Sequence, residues 1–274
     1  MLLTAPNASG EPMPALVTPD GVRRCLGAMP SGLMKAAAPL FGVTNPVIPR
    51  ADWEPTKRPR GPVPVMDQGQ HGDCVGFGSA TAAMRARDSA GQDFILLSPT
   101  FIYAQINGGH DRGSDPADAA KVLRDTGTCT MAEFDETRIY RPQIPPGAYE
   151  TARRFKALKI YQCASFDEVV SAWLLGFDVF DTVCVGPQFN LLDGDGVPGS
   201  AMGPGNHCIA TADELKRGGD GRWLLEHQNS WGTGWGLGGY FFMGEAQYAT
   251  QTGWQAFAVQ AVMLDPDDSL AAIG

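Results

Sequence analysis

No stretch of the chain approaches the roughly 18 consecutive apolar residues that a membrane-spanning helix requires, so no membrane partner is expected. The first residues, Met1 to Pro14, lack a basic stretch ahead of an apolar core and carry just a Leu2-Leu3 pair, so no secretory signal is read there. Basic residues are outnumbered, with 21 Lys and Arg against 30 Asp and Glu and a net charge of -9. A phosphate backbone is therefore a poor partner, because nucleic-acid binding depends on clustered cations that release counterions. The one basic cluster, Lys57, Arg58 and Arg60, is broken by Pro59 and reads as a solvated loop. No CxxC occurs, and the six cysteines are scattered through apolar segments, which predicts free thiols. Cys208 abuts His207, but no second ligand stands at structural-zinc spacing, so neither a metal nor any other cofactor is expected. These absences together place the chain in the cytoplasm, or inside a particle (a virion) assembled there.

What is present is enough apolar sequence, 43% of 274 residues, to bury a sizeable core. Residues 1 to 62 are rich in Pro, Gly and Ala, with one short helix expected around Gly32 to Leu40, and they read as an arm rather than a domain. Helical periodicity begins at Cys74, where Phe77, Ala80, Thr81 and Met84 recur until Gly91. Further helices are predicted over Pro99 to Gln105 and Asp115 to Asp125. After Lys159 the texture changes. One helix near Phe166 to Leu175 is followed by the strand-like segments Val179 to Val185, Cys208 to Ala212, Trp223 to His227 and Tyr240 to Met243. A helix-rich half followed by a strand-rich half predicts an α+β architecture of two lobes with a cleft between them.

The chemistry concentrates in two places. Gln68-Gly69-Gln70-His71-Gly72-Asp73-Cys74 sets a thiol at the first turn of a helix, where the helix end and a nearby imidazolium can lower its pKa. Glycine before it permits close approach of a backbone amide to a carbonyl, and Gln68 can add a side-chain N–H to the same oxyanion. Downstream, Asn206-His207-Cys208 leads into a strand, and Asn229-Ser230-Trp231-Gly232-Thr233-Gly234-Trp235-Gly236 follows. Neither the run from Gly234 nor the one from Gly194, both of which fit GxGxxG, opens a helix after a strand, so both read as turns. Asp193 and Asp195 start like a calcium loop, but Val197 and Pro204 occupy later ligand positions. Glu226 and His227 are neighbours on a strand, so at most one should face the core.

These residues resemble the papain family of cysteine peptidases, of a divergent bacterial or phage type. Gln68, Gly72, Cys74 and Phe77 match its nucleophile motif, and Asn229 to Gly236 match its asparagine motif throughout. His207 and Asn229 follow Cys74 at close to the family's interval of roughly 130 to 150 residues. Leu97-Ser98-Pro99, Asn107-Gly108-Gly109 and Gly127 look like further landmarks, and Asp52-Trp53 resembles the start of a mature enzyme. The resemblance implies a papain-like two-lobe fold: a helical lobe at about 70–155 and an antiparallel, β-barrel-like lobe at about 156–264, within a catalytic unit 51–264 flanked by an arm, 1–50, and a tail, 265–274. It implies peptide or protein substrates and an acyl-enzyme route, with Cys74 as nucleophile and His207 as general base and acid. Asn229 would orient His207, Gln68 with the Cys74 amide would form the oxyanion hole, and Trp231 would shield the Asn229–His207 contact from water.

Three departures fall beside Cys74. The family's preceding cysteine is His71, its small residue is Asp73 and its aromatic is Val75, while Ile106 stands where the disulfide partner of that cysteine would lie. Asp73 opposes ionisation of the thiol unless it points away or meets a cation, so Asp73→Ser is expected to lower the Cys74 pKa; His71 reads as a surface histidine or as that cation. Two readings fit residues 1 to 50, a minimal latency segment or a device docking the enzyme onto a large assembly. Latency predicts self-cleavage between about Arg50 and Arg60. The alternative function is a catalytically silent papain-fold component of such an assembly, for instance a phage particle, and acyl transfer to an amine is a third reading.

Overall fold

The computed structural model describes residues 2–30 and 37–262. Turn chemistry folds the start of the arm. Strands β1 (Leu2–Pro6) and β2 (Pro12–Val17) pair antiparallel across a turn in which Asn7 Oδ1 accepts from the amides of Ser9 and Glu11, each at 2.9 Å. A second turn, pinned by Thr18 Oγ1 bonding to Asp20 and to the Val22 carbonyl, adds β3 (Arg23–Cys25). This three-stranded sheet adds strands to an arm for which the sequence predicts one short helix and no strand; prolines at 6, 12 and 14 masked strands of so few residues. Part of the helix expected over Gly32 to Leu40 lies outside the described residues, Ala37 to Leu40 is not helical, and a single turn, α1 (Phe41–Thr44), follows it. The tail 265–274 also lies outside the described residues.

After the two-residue strand β4 (Thr56–Lys57) comes the central helix α2 (Cys74–Ser89), buried on every side from Cys74 to Arg87. Its small residues permit this: a Cβ on Gly76 would stand 2.4 Å from the Pro99 carbonyl oxygen, and one on Gly78 would stand 2.8 Å from Cys208 Sγ. Helix α3 (Pro99–Ile106) is N-capped by Ser98 and α4 (Pro116–Asp125) by Asp115, each with proline at its first position. The unanticipated α5 (Pro146–Arg154) also starts on proline; Pro145-Pro146-Gly147 looks like a turn in sequence.

The second half alternates β5 (Ala157–Cys163), α6 (Phe166–Leu174), β6 (Asp178–Val183), β7 (Gly203–Pro204), β8 (His207–Arg217), β9 (Trp223–Gln228), β10 (Tyr240–Met243), α7 (Glu245–Ala249), β11 (Gln251–Thr252) and β12 (Ala256–Val262). The main sheet runs β10-β9-β8-β6-β12-β5, antiparallel, with β4 on β8. The expected barrel-like lobe is thus an open sheet: among the described residues its end strands β10 and β5 are not paired with each other. One face packs Phe180, Cys208, Ala210 and Phe257 against Cys74, Ala80 and Met84 of α2. The other buries Trp173, Phe177, Trp231 and Phe241. Apolar burial of this kind, at about 25 cal/mol per Å2, holds the first turn of α2 against the start of β8.

One sequence expectation holds in part here and one fails. In the Lys57, Arg58, Arg60 cluster Lys57 and Arg60 are solvent-exposed as read, but Lys57 lies in β4 and each base meets a carboxylate: Lys57 with Glu214 at 2.8 Å, the partly buried Arg58 with Asp178 at 3.3 Å, and Arg60 with Glu226 at 2.8 Å. Glu226 and His227 are both buried, since β9 is covered on its two faces; Glu226 is neutralised by Arg60 and accepts the Asp213 amide at 3.0 Å.

Candidate active site

Cys74 opens α2 and His207 opens β8, and both side chains are fully buried. The amide of Cys208, next to His207, donates toward the Cys74 sulfur. His207 Nε2 lies 2.7 Å from Asn229 Oδ1, and that same oxygen accepts the Ser230 amide at 2.8 Å. An oxygen already taking one N–H fixes the Asn229 orientation, so His207 Nε2 carries the hydrogen and Nδ1 is the basic lone pair. Nδ1 has no hydrogen-bond partner. The Trp231 ring lies 4.7 Å from the imidazole at an angle of 34°, closing the Asn229–His207 contact from one side. Gln68 is locked to the bend that follows β9, its Oε1 accepting Ser230 Oγ–H at 2.8 Å and its backbone amide donating to the Ser230 carbonyl at 2.9 Å.

The arm fills the cleft between these groups. Gln68 Nε2 donates to the Cys25 carbonyl at 3.1 Å and to the His71 carbonyl at 3.0 Å. The Gly27 amide donates toward the Cys74 sulfur. The Gly27 carbonyl accepts from Ser114 N at 2.8 Å, Met29 N donates to the Ser114 carbonyl at 2.9 Å, and Ala28 N donates to the Asn206 carbonyl at 3.1 Å. Residues 25 to 29 therefore cross from Gln68 to Ser114, with Ala28 in a single parallel bridge to Ser114. Sequence reasoning missed Cys25, Gly27, Ser114 and Asn206 as members of the site, because their contribution is backbone and their meeting is long-range.

Burial sets the electrostatics. It pushes the Cys74 thiol up to about 12, against the amides of Gly27 and Cys208, which favour the thiolate. It brings His207 down to about 4, opposed by the bond to Asn229. The pair is neutral under the arm, in contrast to the depressed thiol pKa expected from the helix end and an imidazolium. Asp73 is itself buried and raised to about 8 by desolvation, with Oδ1 unpartnered, so its charge is a minor influence on Cys74 beside burial. His71 acts on Asp73 through its charge, lowering the Asp73 pKa against burial, but its hydrogen bond goes elsewhere. Its Nδ1 lies 2.8 Å from Asp111 Oδ2, and this hydrogen bond raises its pKa. Asp111 is fully buried, and although burial alone would raise its pKa, bonds from His71, the Gly72 amide at 2.9 Å and the Tyr103 hydroxyl at 2.8 Å hold it low. The ion pair links the loop before Cys74 to the loop after α3, where the papain family's disulfide would run between positions 71 and 106. All six cysteines are free and buried.

No protein-family model and no curated protein matches the chain. Solved structures do. Xylellain, a cysteine protease from Xylella fastidiosa, superposes with a TM-score of 0.66 at 21% identity, covering 86% of this chain and 96% of its own. The fold is that of the papain-like cysteine proteases. Digestive procathepsin L 3 of Tenebrio molitor gives a TM-score of 0.63 at 15% identity over 86% of this chain and 76% of its own. Procathepsin B from Trypanosoma congolense gives 0.64 at 12% identity over 88% and 87%. The papain-like fold thus extends across both the helical and the β-rich halves. Among the described residues no helix is long and apolar enough to cross a membrane.

Proposed function

We propose that this chain is a cysteine peptidase that hydrolyses peptide bonds through an acyl-enzyme and is held latent by its own arm. The 2.7 Å bond from His207 Nε2 to Asn229 Oδ1 carries the reading, since it leaves Nδ1 as the basic nitrogen of an imidazole that opens β8, the strand whose Cys208 packs against Cys74 at the start of α2. With the arm displaced, water enters, the desolvation that keeps the pair neutral is lifted, and the Cys74 proton passes to His207 Nδ1. The thiolate attacks the substrate carbonyl carbon, forming a C–S bond and an oxyanion held by Gln68 Nε2 and the Cys74 amide. As the C–N bond breaks, His207 gives its proton to the leaving amine. Water then attacks the thioester, His207 takes its proton, and the C–S bond breaks to release acid and thiol.

Latency follows from what the arm presents. The Gly27 amide favours the thiolate form of Cys74, and the flanking arm residues are tied by their backbones to Gln68, Asn206 and Ser114, so the arm occupies the cleft. Self-cleavage between Arg50 and Arg60 would cut a segment tied down by Arg50 to Asp167 at 2.6 Å and by β4 to β8. The test is hydrolysis of a fluorogenic peptide mixture by the full chain before and after mild acid, salt or limited proteolysis, with Cys74→Ala alongside. Cysteine-dependent turnover that appears on arm release supports the proposal; no turnover from a chain whose Cys74 has become alkylatable would sink it.

The complete burial of Cys74 and His207 favours a second reading, a silent papain-fold component whose arm docks within a larger assembly. It predicts that Cys74 stays unreactive under every condition in which the chain remains folded.

A further inference from the structure

Arg24 belongs to the arm and yet is 2% exposed. A guanidinium so buried requires matched acceptors, and its fork finds them: Nη1 lies 2.7 Å from Asp67 Oδ1 and Nη2 2.8 Å from Asp67 Oδ2. Nη2 also donates to the Trp231 carbonyl at 3.2 Å and to Asp20 Oδ2 at 3.2 Å. Asp20 is part of the arm and departs with it. Asp67 and the Trp231 carbonyl belong to the body of the protein and stay.

That body-side site is held in shape independently of its occupant. Asp67 pairs with Trp231 in an antiparallel bridge, and its Oδ1 accepts the Gly69 amide at 2.8 Å. Gly232 leaves room for the carboxylate, since a Cβ there would stand 3.1 Å from Asp67 Oδ2. The position along the cleft follows from the backbone of the arm. Ala28 reaches Asn206 and Ser114, Gly27 faces Cys74, Cys25 meets Gln68, and Arg24 lies beyond, on Trp231. His207, which must hand its proton to the leaving amine, stacks on that same Trp231.

Resting on the peptidase reading for the direction of the cut, we propose that Asp67 and the Trp231 carbonyl form a subsite for an arginine side chain on the leaving-group side of the scissile bond, with Arg24 as its built-in occupant. The planar fork suits arginine over lysine, because two parallel N–H groups meet the two carboxylate oxygens. Asp67 is 45% exposed at its side chain, so screening limits the preference.

The probes are fluorescein-labelled, end-blocked alanine octapeptides carrying one Arg, Lys, Gln or Glu at each of the four C-terminal positions. They are titrated by anisotropy against the full chain bearing Gly27→Ala, which displaces the arm, with Arg24→Ala and Cys74→Ala. At one position Arg should bind about tenfold more tightly than Gln, with Lys between and Glu weakest, and adding Asp67→Asn should bring Arg and Gln to within about twofold. Equal affinities, no binding by any peptide, or a preference that survives Asp67→Asn would overturn the subsite. The same peptides are then offered to the chain with Cys74 restored. Cleavage with Arg after the cut supports the assignment, and Arg before the cut overturns it. A preference in binding without cleavage leaves the subsite standing and removes the peptidase reading.

Discussion

The carbonyl of Cys25 accepts a hydrogen bond from Gln68 Nε2 at 3.1 Å, so an arm residue occupies the donor that the proposed reaction needs for its oxyanion. This one contact gives Gln68→Ala two opposite effects. Loss of the donor should lower kcat/KM of the opened enzyme by about 10²- to 10³-fold. Loss of an arm contact should raise the rate of Cys74 alkylation in the intact chain. Parallel measurement of turnover and peptide-resolved alkylation checks both; a fall in the two together would mean that Gln68 does not hold the arm.

Gly27 offers a cleaner opening. A Cβ there would stand 1.9 Å from the Gly72 carbonyl oxygen, an overlap the backbone cannot absorb. Overpacking of this kind costs roughly 1–3 kcal/mol, so Gly27→Ala should raise Cys74 alkylation by iodoacetamide at pH 7.5 by about tenfold or more. An unchanged rate would show that the arm is not the gate. In the opened chain the apparent Cys74 pKa should drop well below about 12, since burial is its first cause, and His207→Ala should remove much of that drop.

Stability should decline with alkaline pH. Asp73 is held at about 8 in the folded chain by desolvation, against about 4 when unfolded. The folded state therefore keeps a proton that the unfolded state releases. This contribution is full below about pH 4 and is lost as pH rises through about 8, with a slope of at most about 1.4 kcal/mol per pH unit. His71, raised by Asp111, adds a contribution of the same sign. His207, brought down to about 4, has the opposite sign below about pH 6.5 and offsets Asp73 there, so melting temperature should fall between about pH 6.5 and 8.5, and Asp73→Asn should flatten that slope. An identical slope in the variant would mean that Asp73 is already ionised in the folded protein.

Asp111 ties together His71, the Gly72 amide, the Tyr103 hydroxyl and Ser9 Oγ, and its carbonyl accepts from Asn7. Asp111→Ala leaves several donors unmatched at a buried site and should cost about 2–3 kcal/mol, with a fall in Tm of roughly 4–10 °C. Thermal unfolding of the variant checks this, and a shift under about 2 °C would show that the loops around Cys74 are held by other contacts.

The sequence by itself determined the candidate chemical groups and the main elements. Periodicity from Cys74, proline and cap residues ahead of α3 and α4, and the Asn229 to Gly236 run are local patterns, so α2, α3, α4, α6 and most strands of the sheet were legible. Gln68, Cys74, His207 and Asn229 could be named because their spacing and neighbours are written along the chain. Only the tertiary structure decided what surrounds them. Whether the thiol is ionised depends on water, and water is excluded by Gly27 and Cys25, whose contacts with Cys74 and Gln68 join distant parts of the chain through backbone atoms common to every residue. The same holds for Arg24 on Asp67, for His71 on Asp111, and for the bases Arg58 and Arg60, which look solvated in sequence and are paired in space. A strand of two or three residues, an ion pair and a buried amide are each too weak to mark the sequence. They form because the packing of α2 against β8 has already brought their partners together.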